Sequence, residues 1–151
     1  MTVRRCLICE RTGLWANALR SGWPADGPRI VETRSWSDLL RELTEAPESA
    51  VCLEVAGVAP DEFARRLTTL HRDFPAARAL VLSDEVTAGW EWLWRDCGAI
   101  EVARSPRDTA AATRIATRHC RRGASEDRTL REQLWRRLPW PEAAREAKSS
   151  D

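Results

Sequence analysis

Five short apolar segments, each followed by apolar residues at helical spacing, constrain the fold of this chain more than any other feature. The segments cover residues 3–9, 29–32, 50–55, 79–82 and 100–103. The third is a continuous apolar run interrupted only by Glu54, which is typical of a strand buried on both faces of a parallel sheet. Strands that alternate with helices are joined by right-handed crossovers, which place helices on both faces. The sequence therefore predicts an α/β fold with a doubly wound, five-stranded parallel sheet.

The composition is that of a single globular domain. Of 151 residues, 43% are apolar and 31% are charged, so the chain can bury a core without disulfides or metals. A net charge of +1 gives no overall preference for nucleic acid, and no apolar run is long enough to cross a bilayer. Five cysteines without a secretion signal indicate reduced thiols, and we expect a cytoplasmic protein without a membrane partner.

Turn-forming and capping residues set the expected boundaries. The first helix is predicted from Gly13 to Ser21 with Leu14, Ala18 and Leu19 facing inward, and the fifth is predicted to begin at Pro106. A break at residues 123–125 ends the main unit, which we place at residues 1–122. An amphipathic sixth helix is expected within 123–140 and a polar tail at 141–151. The apolar stripe of the sixth helix consists of Leu130, Leu134, Trp135 and Leu138.

Polar side chains stand at the ends of four predicted strands. In an open α/β sheet the ligand site lies at the carboxyl ends of the strands, where the strand order reverses. The parallel arrangement brings these ends to one edge, so their side chains are candidate site residues. They are Glu10, Glu54, Ser83 and Ser105.

These positions, together with the segment from Gly98 to Pro106, resemble the receiver domain of bacterial response regulators. That family has an acidic pair after strand one, a phosphoacceptor Asp after strand three, a Thr or Ser after strand four and a Lys-Pro after strand five. Gly98 and Ala99 match the family's entry into strand five, and Pro106 follows at the matching distance. The resemblance covers residues 3–120, and it implies a flavodoxin-like fold and a role in signal transduction.

The residues at those positions depart from the family's phosphorylation machinery. A receiver uses several carboxylates to hold a divalent cation and a Lys to pair with the phosphoryl group. Here Arg11 replaces one metal-binding acid, Glu54 is one methylene longer than the acceptor, and Ser105 replaces the Lys, whereas Ser83 keeps its type. The resemblance implies a degenerate receiver whose pocket consists of Glu10 and these four residues. Glu54 and Arg11 could pair there, and no metal or cofactor is expected.

Other site chemistries find little support in the sequence. Cys6 and Cys9 lie three residues apart within one strand, so they face opposite sides and do not form a zinc or redox pair. His71 and His119 complete no zinc site at a known spacing. No histidine and no glycine-rich phosphate loop accompanies the acids at the strand ends. We therefore expect no catalytic residue and no enzymatic activity.

Three tryptophans lie on the fourth predicted helix, which forms part of the surface that receivers use for dimers and outputs. At 100° per residue, Trp90 lies inward, Trp94 flanks it and Trp92 points away. Because an exposed tryptophan often anchors an interface, Trp92 and Trp94 are candidate interface residues. The inward stripe of this helix is predicted to consist of Val86, Trp90, Leu93 and Cys97.

These features leave several functions open. The first is a non-catalytic, phosphorylation-independent module that binds a protein partner or a second copy through helix four, strand five, helix five and the C-terminal helix. The alternative is a nucleic-acid-associated regulator that uses the seven arginines between Arg118 and Arg137. Nucleic acid is the less expected partner, because no helix-turn-helix follows the domain. A receiver phosphorylated on Glu54 is the least expected of the three.

Overall fold

A computed structural model describes residues 3–122, and the predicted sixth helix, its apolar stripe and the polar tail lie outside these residues. Five strands form one sheet in the order β2-β1-β3-β4-β5, and every neighbouring pair is parallel. The sheet is the predicted doubly wound, flavodoxin-like one. The strands are β1 (Cys6–Cys9), β2 (Ile30–Thr33), β3 (Ala50–Glu54), β4 (Arg78–Leu82) and β5 (Ala99–Ala103).

Five helices cover the two faces of the sheet. Two of them, α1 and α5, pack over one core, and α2, α3 and α4 contribute to the other. No helix within residues 3–122 has the length and apolar character needed to cross a membrane. The helices are α1 (Leu14–Ser21), α2 (Trp36–Glu45), α3 (Pro60–Asp73), α4 (Glu91–Asp96) and α5 (Ala110–Arg122).

The alternation of side chains along the strands divides the core into two layers. Cys6 is fully buried in the layer under α1 and α5, whereas Cys9 packs against the opposite layer. This arrangement matches the expectation that the two thiols face opposite sides. All five cysteines are free thiols. Burial and the hydrogen bond with the neighbouring Cys52 raise the pKa of the Cys6 thiol well above its usual range, so this thiol is protonated and unreactive.

Local sequence signals explain where α2, α3 and α4 begin or end. The Ser35 hydroxyl accepts the N–H of Asp38 at 3.1 Å and caps α2. Pro60 occupies the first turn of α3, where a main-chain N–H would have no hydrogen-bond acceptor within the helix, so its absence in proline costs nothing. Gly98 follows α4 with a φ of 108°, a conformation that favours glycine.

Two predictions for the first and fifth helices were wrong, the inward position of Leu14 and the start of the fifth helix. Leu14 is 57% exposed, whereas Trp15, Ala16 and, as predicted, Leu19 are buried. The buried stripe is set by the i, i+4 pair of Trp15 and Leu19, and Leu14 lies one residue out of phase with it. Helix α5 begins at Ala110 and not at Pro106, because the residues between them form a turn.

The predicted inward stripe of the fourth helix was wrong at Val86 and Trp90, whereas Leu93 and Cys97 are partly buried and pack against the core. Val86 is 87% exposed and Trp90 is 42% exposed, whereas Trp94 is fully buried. Residues Ala88–Trp90 form a short 3-10 turn, and α4 begins only at Glu91. A constant rotation of 100° per residue therefore does not apply from Val86 onward. Trp92 is 61% exposed, in agreement with the prediction that it points away from the sheet.

Candidate functional site

The carboxyl ends of the strands meet at one edge of the sheet, and the four predicted side chains stand along it. Glu54 is the last residue of β3, and Glu10 follows β1 directly. Ser83 follows β4, and its N–H donates to the carbonyl of Ala103 at the end of β5. The structure thus brings the predicted residues to one edge, but each of them bonds to a different partner.

Glu10 is an internal cap for α1. Its two carboxylate oxygens accept the main-chain N–H groups of Trp15 and Ala16, each at 2.8 Å, and the residue is 2% exposed. The N-cap position itself is Gly13, which has no side chain and adopts a φ of 89°. Glu10 therefore satisfies N–H groups that have no partner within the helix, and its charge lies near the positive end of the helix dipole. The sequence did not reveal this role.

Arg11 and Glu54 are in contact, but through the main chain. The Glu54 Oε2 atom accepts the N–H of Arg11 at 2.8 Å. The two side chains form no ion pair, and the guanidinium of Arg11 extends instead over Gly57. A Cβ atom added to Gly57 would meet the flexible end of the Arg11 side chain, which would have to move, and the φ of Gly57 is 79°. This conformation favours glycine at position 57.

Ser83 belongs to a small hydrogen-bonded cluster after β4. Its hydroxyl lies 2.6 Å from that of Thr87, and Ser83 is 1% exposed. The Oδ1 atom of Asp84 accepts both the N–H and the hydroxyl of Thr87 at 2.8 Å. The side-chain hydrogen bond from Thr87 holds the pKa of Asp84 below its ordinary value. Sequence analysis missed Thr87, whose spacing of three residues from Asp84 is the signal of such a capping turn.

Ser105 stands apart from this cluster. Its Oγ atom accepts the N–H of Arg107 at 3.2 Å and stabilises the turn before α5. Within residues 3–122 its side chain makes no other hydrogen bond. The hydroxyl of Ser105 therefore has a local structural role where a receiver has its Lys.

A cleft of about 280 Å³ opens beside β1 and β3. Three arginines contribute to its wall, and the guanidinium of Arg66 lies 5.4 Å from the centre of the Trp36 ring. Arg34 and Trp36 follow β2, so their position at the edge could have been inferred from the parallel arrangement, whereas Arg66 comes from α3. The wall consists of Cys9, Glu10, Arg11, Arg34, Ser35, Trp36, Glu54, Ala56, Gly57, Val58 and Arg66.

No group of three or more His, Cys, Asp or Glu side chains is arranged to hold a metal ion in the part of the chain that the structure describes. The only acids in the cleft wall are Glu10 and Glu54. Glu10 uses both oxygens on α1, and Glu54 uses one on the main chain of Arg11. This donor set does not resemble the several oxygen ligands that a divalent cation needs.

Several solved structures have the same arrangement of strands and helices as this chain. A response regulator from Thermotoga maritima has a TM-score of 0.67 at 14% identity, over 80% of this chain and 99% of that one. The chain has the fold of a receiver domain. The chain is also similar to a receiver domain protein from Clostridium thermocellum, with a TM-score of 0.59 at 19% identity, over 82% of this chain and 98% of that one. A CheY-like protein (tadZ) from Pseudomonas aeruginosa PAO1 has a TM-score of 0.59 at 13% identity, over 77% of this chain and 98% of that one. No protein-family model and no curated protein matches the chain.

The face formed by α4, β5 and α5 of this receiver-like fold, which we call the output face, carries exposed apolar side chains. Trp90, Trp92, Val86 and Ile100 are all more than a third exposed. Trp94, a predicted interface residue, is fully buried and packs edge-on against Phe63 with ring centres 4.8 Å apart. Trp94 therefore belongs to the core and cannot contact a partner, because the phase of α4 turns it toward the sheet.

Ion pairs tie the output face together. Glu91 at the start of α4 accepts hydrogen bonds from Arg104 after β5, at 2.9 Å from Nε, and from Nε of Arg95 at 3.0 Å. The hydrogen bond from Arg104 is the main reason why the pKa of Glu91 lies below its ordinary value. A shallow cleft of about 240 Å³ runs between these residues and α5. Arg104, next to Ser105, thus points toward α4 and not toward the strand-end acids.

Proposed function

We propose that this receiver-like domain is a non-catalytic signalling module that works without phosphorylation, by binding a protein partner or a second copy of itself. The observation that carries the proposal is that the strand-end side chains are engaged in internal hydrogen bonds. Glu10 caps α1, Ser83 bonds to Thr87, and Ser105 stabilises its own turn. These bonds leave few strand-end groups for a divalent cation and for the covalent transfer of a phosphoryl group to Glu54.

The arrangement of charges supports the same proposal. Phosphoryl transfer to a carboxylate needs positively charged groups around the three negatively charged oxygens of the phosphoryl group, which receivers provide with a bound cation and a Lys. Here the position of the Lys is Ser105, and the neighbouring Arg104 is paired with Glu91. Arg11 is the nearest cation in sequence to the acids, but its guanidinium lies over Gly57. Glu54 is half-buried and one of its oxygens accepts the N–H of Arg11, so its approach to a phosphodonor is restricted.

Phosphorylation is the first point to test. We expect that acetyl phosphate with Mg²⁺ adds no phosphoryl group to the protein, because the cation site and the Lys are both missing from the geometry. Intact-protein mass spectrometry at several times would measure the modified fraction. The matched variants are Glu54→Gln and Glu54→Asp, and a competent receiver domain serves as the positive control. Stoichiometric modification that disappears in Glu54→Gln would refute the proposal.

The output face supports the second part of the proposal. Trp92 presents a large apolar surface at 61% exposure, next to the ion pairs of Glu91. Tryptophan is enriched among the residues that dominate binding energy in protein interfaces, and charged residues are common at their rims. A face with exposed tryptophans and a charged surround suits a protein contact better than a small-molecule site. The C-terminal stripe of Leu130, Leu134, Trp135 and Leu138 remains a proposed part of the same interface.

Trp92→Ala is expected to weaken self-association or partner binding by about tenfold or more, as loss of an interface tryptophan does. Leu14→Ala is the matched control, because Leu14 is similarly exposed at 57% but lies on α1, outside the output face. Sedimentation velocity over a range of protein concentrations measures self-association, and titration with an isolated partner measures binding. Equal behaviour of the two variants in both measurements would contradict an interface at Trp92.

A further inference from the structure

The cleft beside β1 and β3 has a position that suits a ligand. In the strand order β2-β1-β3, the strands β2 and β3 lie on opposite sides of β1, so the strand order reverses at β1. In open α/β sheets, the crevice outside the carboxyl ends of the strands at such a reversal is where ligands bind. The volume of about 280 Å³ lies near the lower limit of small-molecule pockets, about 300–1,000 Å³, so a ligand there would be small.

The cationic side chains of the cleft have hydrogen-bond donors to spare. The guanidinium of Arg11 forms no ion pair and no hydrogen bond with any residue that the structure describes, although it lies in the wall of the cleft. Arg34 is paired with Glu32 at 2.7 Å, and Arg66 with Glu62 at 3.2 Å. Because a guanidinium has five N–H donors in a rigid fork, Arg34 and Arg66 can each keep a carboxylate and still bind an anion.

The acids of the cleft do not cancel this charge. Both oxygens of Glu10 accept N–H groups of α1, and Glu10 is 2% exposed, so its charge faces the helix and not the cleft. Glu54 directs one oxygen to the main chain of Arg11. Three arginines against two glutamates give the lining itself a formal charge of +1, and Glu32 and Glu62, which pair with Arg34 and Arg66, lie outside the lining. Ser35, the N-cap of α2, and Trp36, its first residue, also line the cleft.

We propose that this cleft binds a small phosphorylated ligand, such as a nucleoside monophosphate, without covalent reaction. The phosphate dianion lies against the guanidinium of Arg11, with Arg34 and Arg66 as further donors. Gly57, whose φ of 79° favours glycine, leaves space beside it for the guanidinium of Arg11. The half-buried ring of Trp36 forms the apolar wall against which the rest of the ligand packs. Binding needs no magnesium and forms no bond to Glu54, so it stands or falls separately from the absence of phosphorylation.

Isothermal titration calorimetry of the full chain tests the proposal with four probes: adenosine monophosphate, inorganic phosphate, sulfate and adenosine. We expect saturable one-to-one binding of the monophosphate, weaker binding of inorganic phosphate, and none of adenosine. Arg11→Gln and Arg66→Gln should each weaken binding of the monophosphate by about tenfold, as loss of a charge-assisted hydrogen bond does. Arg65→Gln is the matched control, because Arg65 lies next to Arg66 on α3 but outside the cleft.

Each outcome of this experiment decides the proposal. Binding that is weakened by Arg11→Gln and Arg66→Gln but not by Arg65→Gln supports it. Binding of inorganic phosphate as tight as that of the monophosphate would mean that free phosphate is the ligand and would overturn the role of Trp36. If none of the anions binds with a dissociation constant below about 10 mM, roughly the weakest affinity that the titration detects, the proposal is overturned. Equal weakening of binding by all three arginine variants would mean that only the net charge of the protein matters, and this result would also overturn the proposal.

Discussion

Replacement of Trp94 by alanine is expected to lower the free energy of unfolding by about 3–5 kcal/mol, the range found for truncation of buried aromatic residues. Trp94 is fully buried in the layer under α2, α3 and α4, and its ring meets that of Phe63 at 70° with centres 4.8 Å apart. Such an edge-on pair stabilises the core beyond the area it buries. The alanine variant would leave a cavity between α3, α4 and the sheet, since a side chain this large has no neighbour able to fill its space.

Urea unfolding followed by circular dichroism measures this loss, and two other tryptophans of the same region provide the comparison. Trp92→Ala is expected to change the free energy of unfolding by no more than about 0.5 kcal/mol, because its side chain is largely in solvent. Trp90→Ala is expected to fall between the two, since Trp90 is 42% exposed. A larger loss of unfolding free energy for Trp90→Ala than for Trp94→Ala would mean that Trp90 and not Trp94 faces the core, as the sequence pattern alone suggests.

The strands and the two cores followed from the sequence because the chain is regular there. Alternation along β1 places Cys6 and Cys9 on opposite faces whatever else happens, and a continuous apolar run such as β3 suits only the middle of the sheet. Helix α4 could not be predicted in the same way. It follows a 3-10 turn at Ala88–Trp90, and the phase of its buried face depends on where that turn ends. Phase is lost at irregular turns, because the angle per residue changes.

The candidate site shows the same division. Parallel strands end at one edge, so the sequence predicted that Glu10, Glu54 and Ser83 stand along it. It did not predict their partners, because each partner depends on a local geometry that no periodic pattern encodes. Glu10 reaches the first N–H groups of α1 because the helix begins at Leu14. The side chain of Arg11 lies over Gly57 and forms no ion pair with Glu54. The place of these residues at the strand ends followed from the sequence, whereas their hydrogen-bond partners became known only from the structure.

Replacement of Glu10 by alanine is expected to lower the free energy of unfolding by about 2–4 kcal/mol, since a buried N–H left without an acceptor costs about 1–3 kcal/mol and two would be left. Those two are the N–H groups of Trp15 and Ala16, which donate to Glu10 at 2.8 Å. Gly13 at the N-cap has no side chain to replace the carboxylate. Urea unfolding measures the loss, and Glu54→Gln, at the other acid of the cleft, is the matched control with an expected change of less than about 1 kcal/mol.

Glu10→Gln separates the cap from a role in metal binding. A glutamine has one acceptor oxygen and an NH2 group that cannot accept, so it satisfies one of the two N–H groups and should lose about half as much stability as the alanine variant. A metal ligand would behave differently, because magnesium would raise the thermal midpoint of the wild type and either substitution would abolish that rise. We expect no such rise, since both oxygens of Glu10 are already bound to α1. Magnesium-dependent stabilisation that vanishes in Glu10→Gln would assign Glu10 to a cation instead.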